Sequence, residues 1–332
     1  MEKISFRRLP TVLRAQELID MAFGGAAKTS PKVRGPPRVV AIERERRRIT
    51  MAASSIHDRL SKSVVDFPSL LNLPPFYRDL ADAIIGIDRL RKSLGAVDGT
   101  ARIVNKLKRE HLRQLRYART PKEAAVIRRR AYGRISSVVT KVDDQLVFLS
   151  EVAKRLSNLP SVYVDMTTIV IAGYPNVGKS TLLLALTGSA PKIAHYPFTT
   201  TGLQLGYFKY SHQKYQVIDT PGLLDRQLEK RNPIERQAIS ALRHLAKIIV
   251  FVLDVSETCG YELRDQFHLL EDIEKMFVDI NVLVVVNKED LLDEEQMRQV
   301  LDVRPAALFI TATTEEGVED LLEEIILPKN AG

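Results

Sequence analysis

Apolar residues in the first half of the chain recur every three or four positions. TVLRAQELIDMAF (11–23) and VVAIERERRRITMAASSIHDRLSKSVVDF (39–67) both carry that spacing, which predicts helices. Between them GGAAKTSPKVRGPPR (24–38), rich in glycine, proline and basic residues, reads as a loop. NLPPFYRD (72–79) is a second break, and DLADAIIGIDRLRKSLG (79–95) is another amphipathic helix. TARIVNKLKREHLRQLRYAR (100–119) is strongly basic. Residues 120–160 open with Thr-Pro-x-Glu, a helix start signal, and predict one long helix. Almost no strand pattern interrupts this half, so residues 1–160 are predicted to form an all-α, antiparallel helical bundle.

The pattern changes near Thr167. Short apolar, β-branched runs appear: TTIVIAGY, LGYFKYS, YQVID, IIVFVLD, INVLVVVN and ALFITA. Most are separated by helical stretches such as ERQAISALRHLA, LRDQFHLLEDIEKMF, DEEQMRQVL and GVEDLLEEII. Strands that alternate with helices predict an α/β domain over residues 161–332, with a doubly wound, mostly parallel sheet.

Charge reinforces the division. The net charge is +8, but residues 1–165 carry 33 Lys+Arg against 17 Asp+Glu, which is +16. The remainder carries 16 against 24, which is −8. A basic half joined to an acidic one predicts that the basic half meets a polyanion. Basic clusters lie at Arg44–Arg48, Lys106–Arg119 and Arg128–Arg130, on predicted helices. Any one of them alone reads as a solvated face; together they favour phosphate neutralisation. Aromatic residues are sparse, at 6%, which favours recognition of folded RNA over single-strand stacking. The single cysteine, Cys259, excludes an internal disulfide and reads as a small buried residue. No apolar run reaches membrane-spanning length and the N-terminus lacks a signal-peptide core, so a cytoplasmic protein with no membrane partner is expected.

Five short motifs fall at strand ends. GYPNVGKST, residues Gly173, Tyr174, Pro175, Asn176, Val177, Gly178, Lys179, Ser180 and Thr181, is a P-loop between a predicted strand and a predicted helix. Its glycines let backbone N–H groups curl around phosphates, and the helix N-terminus adds partial positive charge. Lys179 is read as reaching the β- and γ-phosphates of the nucleotide, and Ser180 as a Mg²⁺ ligand. YPFTTT (196–201) sits where a first switch loop belongs, and position alone leaves Thr199, Thr200 and Thr201 as alternatives for the Mg²⁺ and γ-phosphate contact. Asp219 and Gly222 of DTPG are read as holding a Mg²⁺-bound water and meeting the γ-phosphate. In NKED, Asp290 can accept two N–H bonds from guanine, which adenine cannot offer; Asn287 would tie the base loop together and Lys288 would lie over the base. Thr311, Ala312 and Thr313 follow the last strand and suit backbone contacts to the guanine oxygen. Together these predict GTP or GDP as ligand and a GTPase in a P-loop fold.

GYPNVGKST, AHYPFTTTG and QVIDTPGLLDR followed by NPIERQAISALRHL resemble the nucleolar GTP-binding protein family, a branch of the Obg-related GTPases with archaeal members. SFRRLPTV, PPFYRDL and RLSNLPSV extend the resemblance through the first half. It implies a role in assembly of the large (50S) ribosomal subunit; with the basic half, rRNA and ribosomal proteins are then the expected partners, and a monomer is expected off the ribosome. It also implies Thr200 as the Mg²⁺-binding threonine. The chain departs from the eukaryotic pattern by ending at Gly332, so contacts through their C-terminal extension are not carried over.

Leu223 stands where a Ras-type GTPase has the glutamine that orients the attacking water. Three replacements are open. A K⁺ ion bound at Asn176 could offset charge in the transition state, although Asn176 could equally only shape the loop. A ribosomal group could complete the site. A local residue, Arg226 or His195, could serve. Slow intrinsic hydrolysis is expected. A nucleotide-gated RNA scaffold with negligible turnover, and a GTP/GDP-sensing regulator that touches no ribosome, are the competing expectations.

Overall fold

The computed structural model describes residues 9–30, 35–69, 72–196, 202–227, 229 and 231–327. The chain divides into two units.

One unit is helical. It contains α1 (Ala15–Ala27), α2 (Pro37–Val65), α4 (Ile87–Leu115), α5 (Pro121–Thr140) and α6 (Asp143–Ser157). α2 and α4 run antiparallel: Arg38 Nε reaches Ala118 O at 3.2 Å, and His57 Nδ1 lies 3.0 Å from Ala101 O. Ile49, Ile56, Leu60, Val97, Ala101 and Val104 are fully buried along their length. Small residues on α5, Ala124 and Ala131, bring it against Ile49 and Leu115. Thr120 caps α5 by accepting the Glu123 N–H at 3.1 Å, as the Thr-Pro-x-Glu signal predicts.

The long helix expected over 120–160 is two helices, parted at Lys141–Val142, where Val142 N–H turns back to Val139 O at 3.2 Å. Asp143 and Asp144 then open α6 with negative charge at a helix N-terminus. The helix expected over 79–95 is likewise divided. Gly86, at φ +70°, ends α3 (Pro75–Ile85) in a left-handed conformation that a helix interior excludes. The second piece continues unbroken to Leu115. At the other end, α1 runs through Gly24 and Gly25 rather than stopping before them.

The second unit is α/β: β1 (Thr167–Ala172), α7 (Lys179–Thr187), β2 (Lys192–Ala194), β3 (Leu203–Tyr210), β4 (Gln213–Asp219), α8 (Pro233–Ala241), β5 (Ala246–Leu253), α9 (Leu263–Met276), β6 (Asn281–Asn287), α10 (Glu294–Val303), β7 (Leu308–Ile310) and α11 (Val318–Ile326). The sheet order is β2-β3-β4-β1-β5-β6-β7. β4, β1, β5, β6 and β7 are parallel, and the β2–β3–β4 edge is antiparallel. The central strands are buried on both faces, which accounts for their continuous apolar runs. β2 was not legible, being three residues of exposed edge.

Helix α3 belongs to this unit, not to the bundle. The single division expected at residue 160 is therefore crossed by the segment ending at Ile84. The cause is apolar and specific. Phe76 and Tyr77 are fully buried, and Tyr77 Oη donates to Pro160 O at 2.9 Å and accepts the Val162 N–H at 3.0 Å. His244 Nε2 lies 2.7 Å from Asp79.

Candidate functional site

The carboxyl ends of β1, β4, β6 and β7 and the N-terminus of α7 converge, as expected for a ligand site in an open α/β sheet. Gly173 and Gly178 have φ of +136° and +100°, and a Cβ on either would meet Val252 O at 2.4 Å or Asn287 Nδ2 at 2.1 Å. Only glycine fits both positions. The P-loop lines a cleft of about 440 Å³ with Pro175, Asn176, Gly178, Lys179, Ser180, Thr181, Asp219, Pro221 and Asp225.

Lys179 is buried, and its Nζ donates to Gly173 O at 2.8 Å and Tyr174 O at 2.6 Å. Burial lowers its pKa, opposed by the charges of Asp219 and Asp225. Ser180 Oγ donates to Asp219 Oδ2 at 2.7 Å. Asp219 is fully buried and, among the described residues, its Oδ1 has no hydrogen-bond partner. Burial raises its pKa, against the Ser180 bond and the Lys179 charge. A hydroxyl and a partly orphaned buried carboxylate facing one cleft fit a hard divalent cation such as Mg²⁺. Asn176 is exposed, at φ +64°, and lines the same cleft.

Asn287 joins three loops. Its Nδ2 donates to Val177 O at 2.9 Å and its Oδ1 accepts the Ala312 N–H at 3.0 Å. Ala312 lies in the stretch expected to make backbone contacts to the guanine oxygen, and its N–H is bonded to Asn287 here. Val177, within the P-loop, is buried, and Thr313 is exposed. Asp290 Oδ1 accepts from Thr311 Oγ1 at 3.4 Å. Lys288, at φ +62°, sends its Nζ to Asp254 Oδ2 at 2.6 Å and Thr258 Oγ1 at 2.7 Å. Sequence reasoning missed Asp254, a buried carboxylate one residue past β5. Burial works to raise its pKa, but the Lys288 ammonium and the Ser256 and Thr258 hydroxyls hold it below the ordinary value. Gln266 braces the same turn by bonding both Asp254 N–H and Asp254 O at 2.9 Å. Cys259 is buried in this network, and burial raises its pKa. A polar residue closing an apolar strand was the available signal.

Leu223 is fully buried and its N–H bonds Thr220 O at 3.0 Å. It is not among the residues that line the cleft. Arg226 lines a neighbouring cleft with Tyr174, Gln227, Tyr261 and Asp265, and His195 is exposed. Thr199, Thr200 and Thr201 lie outside the described residues. Tyr196, at the root of that loop, is fully buried: its Oη donates to Ala238 O at 2.7 Å and its ring stacks on Phe76, 6.5 Å between centroids.

The three basic clusters differ in kind. Glu45, almost wholly buried, pairs with Arg44, Arg48 and Arg128 at 3.2, 3.5 and 2.7 Å. Glu43 pairs with Arg46 and Arg47. Much of Arg44–Arg48 and part of Arg128–Arg130 is thus internal neutralisation. Lys106, Arg109, Arg113 and Arg116 instead fall at alternating spacings of three and four on α4 and its C-cap, which puts them on one face. All four are exposed and none has a carboxylate in ion-pair range among the described residues.

Fold and cleft together define the class: a P-loop protein of the GTP-binding type, with a helical unit attached. Residues 6–163 match the NOG1 N-terminal helical domain, and residues 233–290 match nucleolar GTP-binding protein 1. A protein of Methanocaldococcus jannaschii is 40% identical over 88% of this chain and 83% of its own length. Nucleolar GTP-binding protein 1 of Candida glabrata is 34% identical over 96% of this chain and 49% of its own. A solved Plasmodium falciparum chain assigned to nucleolar GTP-binding protein 1 is 31% identical, with TM-score 0.41, over 52% of this chain and 96% of that one. The chain belongs to the nucleolar GTP-binding protein 1 family. It spans about half the length of the eukaryotic relatives that it matches.

Proposed function

We propose that the chain binds GTP in the P-loop cleft, hydrolyses it slowly to GDP and phosphate, and acts as a switch in large ribosomal subunit assembly through rRNA binding. The observation that carries this reading is convergence: the phosphate loop, the Ser180–Asp219 pair and the Asn287–Asp290 corner meet at one end of the sheet. Lys179 would exchange its two carbonyl bonds for phosphate oxygens. Ser180 and Thr200, with Asp219 through water, would hold Mg²⁺, which neutralises charge on the β- and γ-phosphates. Asp290 would read guanine, and Lys288, steadied by Asp254, would cover the base.

The exposed face of α4 would take phosphates of folded rRNA. The position of α3 supports a link between the two activities. Phe76 touches Tyr196, the root of the first switch loop, and α3 leads directly into α4 through Gly86. GTP would be held through Thr200 and Gly222 as well as the P-loop; after hydrolysis those γ-phosphate contacts are lost and RNA affinity falls. The protein works in the cytoplasm and is a monomer off the ribosome in this reading.

Leu223 favours a second reading. Its burial leaves the glutamine's place unfilled, consistent with a nucleotide-gated scaffold of negligible turnover. K⁺ at Asn176 and a ribosomal group both remain suited to the missing role. Co-sedimentation with large subunits separates these readings from a non-ribosomal one. Binding with a GTP analogue, weaker with GDP and falling as salt rises, is expected. An absence of binding at low salt with either nucleotide contradicts the ribosomal role.

A further inference from the structure

The turn after β4 holds a carboxylate where a phosphate oxygen is expected. Gly222 N–H, read as the γ-phosphate contact, donates to Asp225 Oδ2 at 2.6 Å. Oδ1 of the same carboxylate accepts from Arg231 Nη2 at 3.2 Å. Arg231 is itself immobilised: its side chain is fully buried, and it also donates to Gly222 O at 2.9 Å and Leu223 O at 2.7 Å. Asp225 is therefore fixed by the protein. It lines the phosphate cleft beside Lys179, Ser180 and Asp219. Its charge is felt there, opposing the burial that lowers the Lys179 pKa and adding to the burial that raises that of Asp219.

We infer that Asp225 occupies the γ-phosphate position, that a guanosine triphosphate must displace it while a diphosphate leaves it in place, and that this residue thereby sets the preference between the two nucleotides. One N–H cannot serve two anions at full strength, and two anions held side by side in a partly buried cleft repel. A diphosphate ends before this point, so the Gly222–Asp225–Arg231 triad persists beside it. A triphosphate must first break the Gly222–Asp225 bond and turn the carboxylate away. The discrimination is built from repulsion as well as attraction.

This inference rests on the cleft being the guanine nucleotide site, and the test separates the two. The full chain, with Mg²⁺, is titrated with GDP and with guanosine 5′-(β,γ-imido)triphosphate, as wild type and as Asp225→Asn and Asp225→Ala. The wild type is expected to prefer GDP. Both variants are expected to shift the GDP-to-analogue affinity ratio toward the analogue by about tenfold or more, the size of one charge-assisted bond. An unchanged ratio in both variants, or a shift further toward GDP, overturns the inference. Wild type that binds neither nucleotide overturns the site reading itself. Should the variants be unfolded, the Gly222 amide of the wild type decides. Hydrogen exchange that is slow in the apo and GDP states supports the inference, and fast exchange in both contradicts it.

Discussion

At the scale of single residues, the site depends on side chains that bond backbone as much as on those that face a ligand. Asn287 is the clearest case. Truncation of Asn287 to alanine strands the buried Val177 carbonyl and Ala312 N–H. Each stranded group costs about 1–3 kcal/mol. Asn287→Ala is thus expected to lose about 2–6 kcal/mol of stability in urea unfolding and to bind GDP at least tenfold more weakly. A loss below about 0.5 kcal/mol contradicts the bridging role. This residue was legible in the sequence because NKED has a fixed place after a strand. Asp225 and Arg231 were not. Their importance arises from a turn that folds back on itself, and LLDRQLEKR carries no periodicity that foretells which arginine is buried. Leu223 was legible as a missing glutamine, whereas its burial is set by how the turn packs and not by the local sequence.

At the scale of elements, the apolar periodicity found the helices and hid their ends. The apolar phase of AIIGID runs straight through Gly86, so the sequence reads as one helix where the backbone makes two. The strands were more legible, since runs buried on both faces have no competing pattern. The junction of α1 with α6 gives a test. Asp143 Oδ2 accepts from Arg14 Nη2 at 2.7 Å and its Oδ1 accepts the Ala15 N–H at 2.8 Å, which joins the starts of the two helices. The Arg14 hydrogen bond and then the Ala15 N–H hold the Asp143 pKa below its ordinary value. A lowered folded-state pKa means stability that is present above the unfolded value, near 3.9, and lost as pH falls through the folded one. Asp143→Ala should therefore lower the melting temperature at pH 7, and this difference should vanish as the pH approaches 2. A difference that persists undiminished in acid contradicts an ionised cap.

At the scale of the whole molecule, the contrast of +16 against −8 was plain from the sequence, but which basic residues are free was not. Glu43 and Glu45 absorb much of the densest run, RERRR: Arg46, Arg47 and Arg48 sit one turn from the carboxylates they pair with, and Arg44 is next to Glu45. The stripe on α4 keeps its charge. Reversal of Arg109, Arg113 and Arg116 to glutamate is expected to weaken large-subunit binding strongly and to flatten the slope of log affinity against log salt by about one for each phosphate left unneutralised. The same reversal at Arg46, paired with Glu43, should change the slope far less. Equal effects from both sets would point to diffuse attraction with no preferred face.

The central claim is that nucleotide turnover in this cleft is coupled to the ribosome. Its most direct test is the single-turnover rate of GTP hydrolysis, in KCl and in NaCl, with and without purified large subunits. Slow hydrolysis is expected in both salts without subunits, since buried Leu223 cannot orient water, with a marked acceleration when subunits are added. A rise with K⁺ in the absence of subunits would assign the glutamine's work to Asn176. No hydrolysis under any of the four conditions would contradict the switch and leave a nucleotide-gated scaffold.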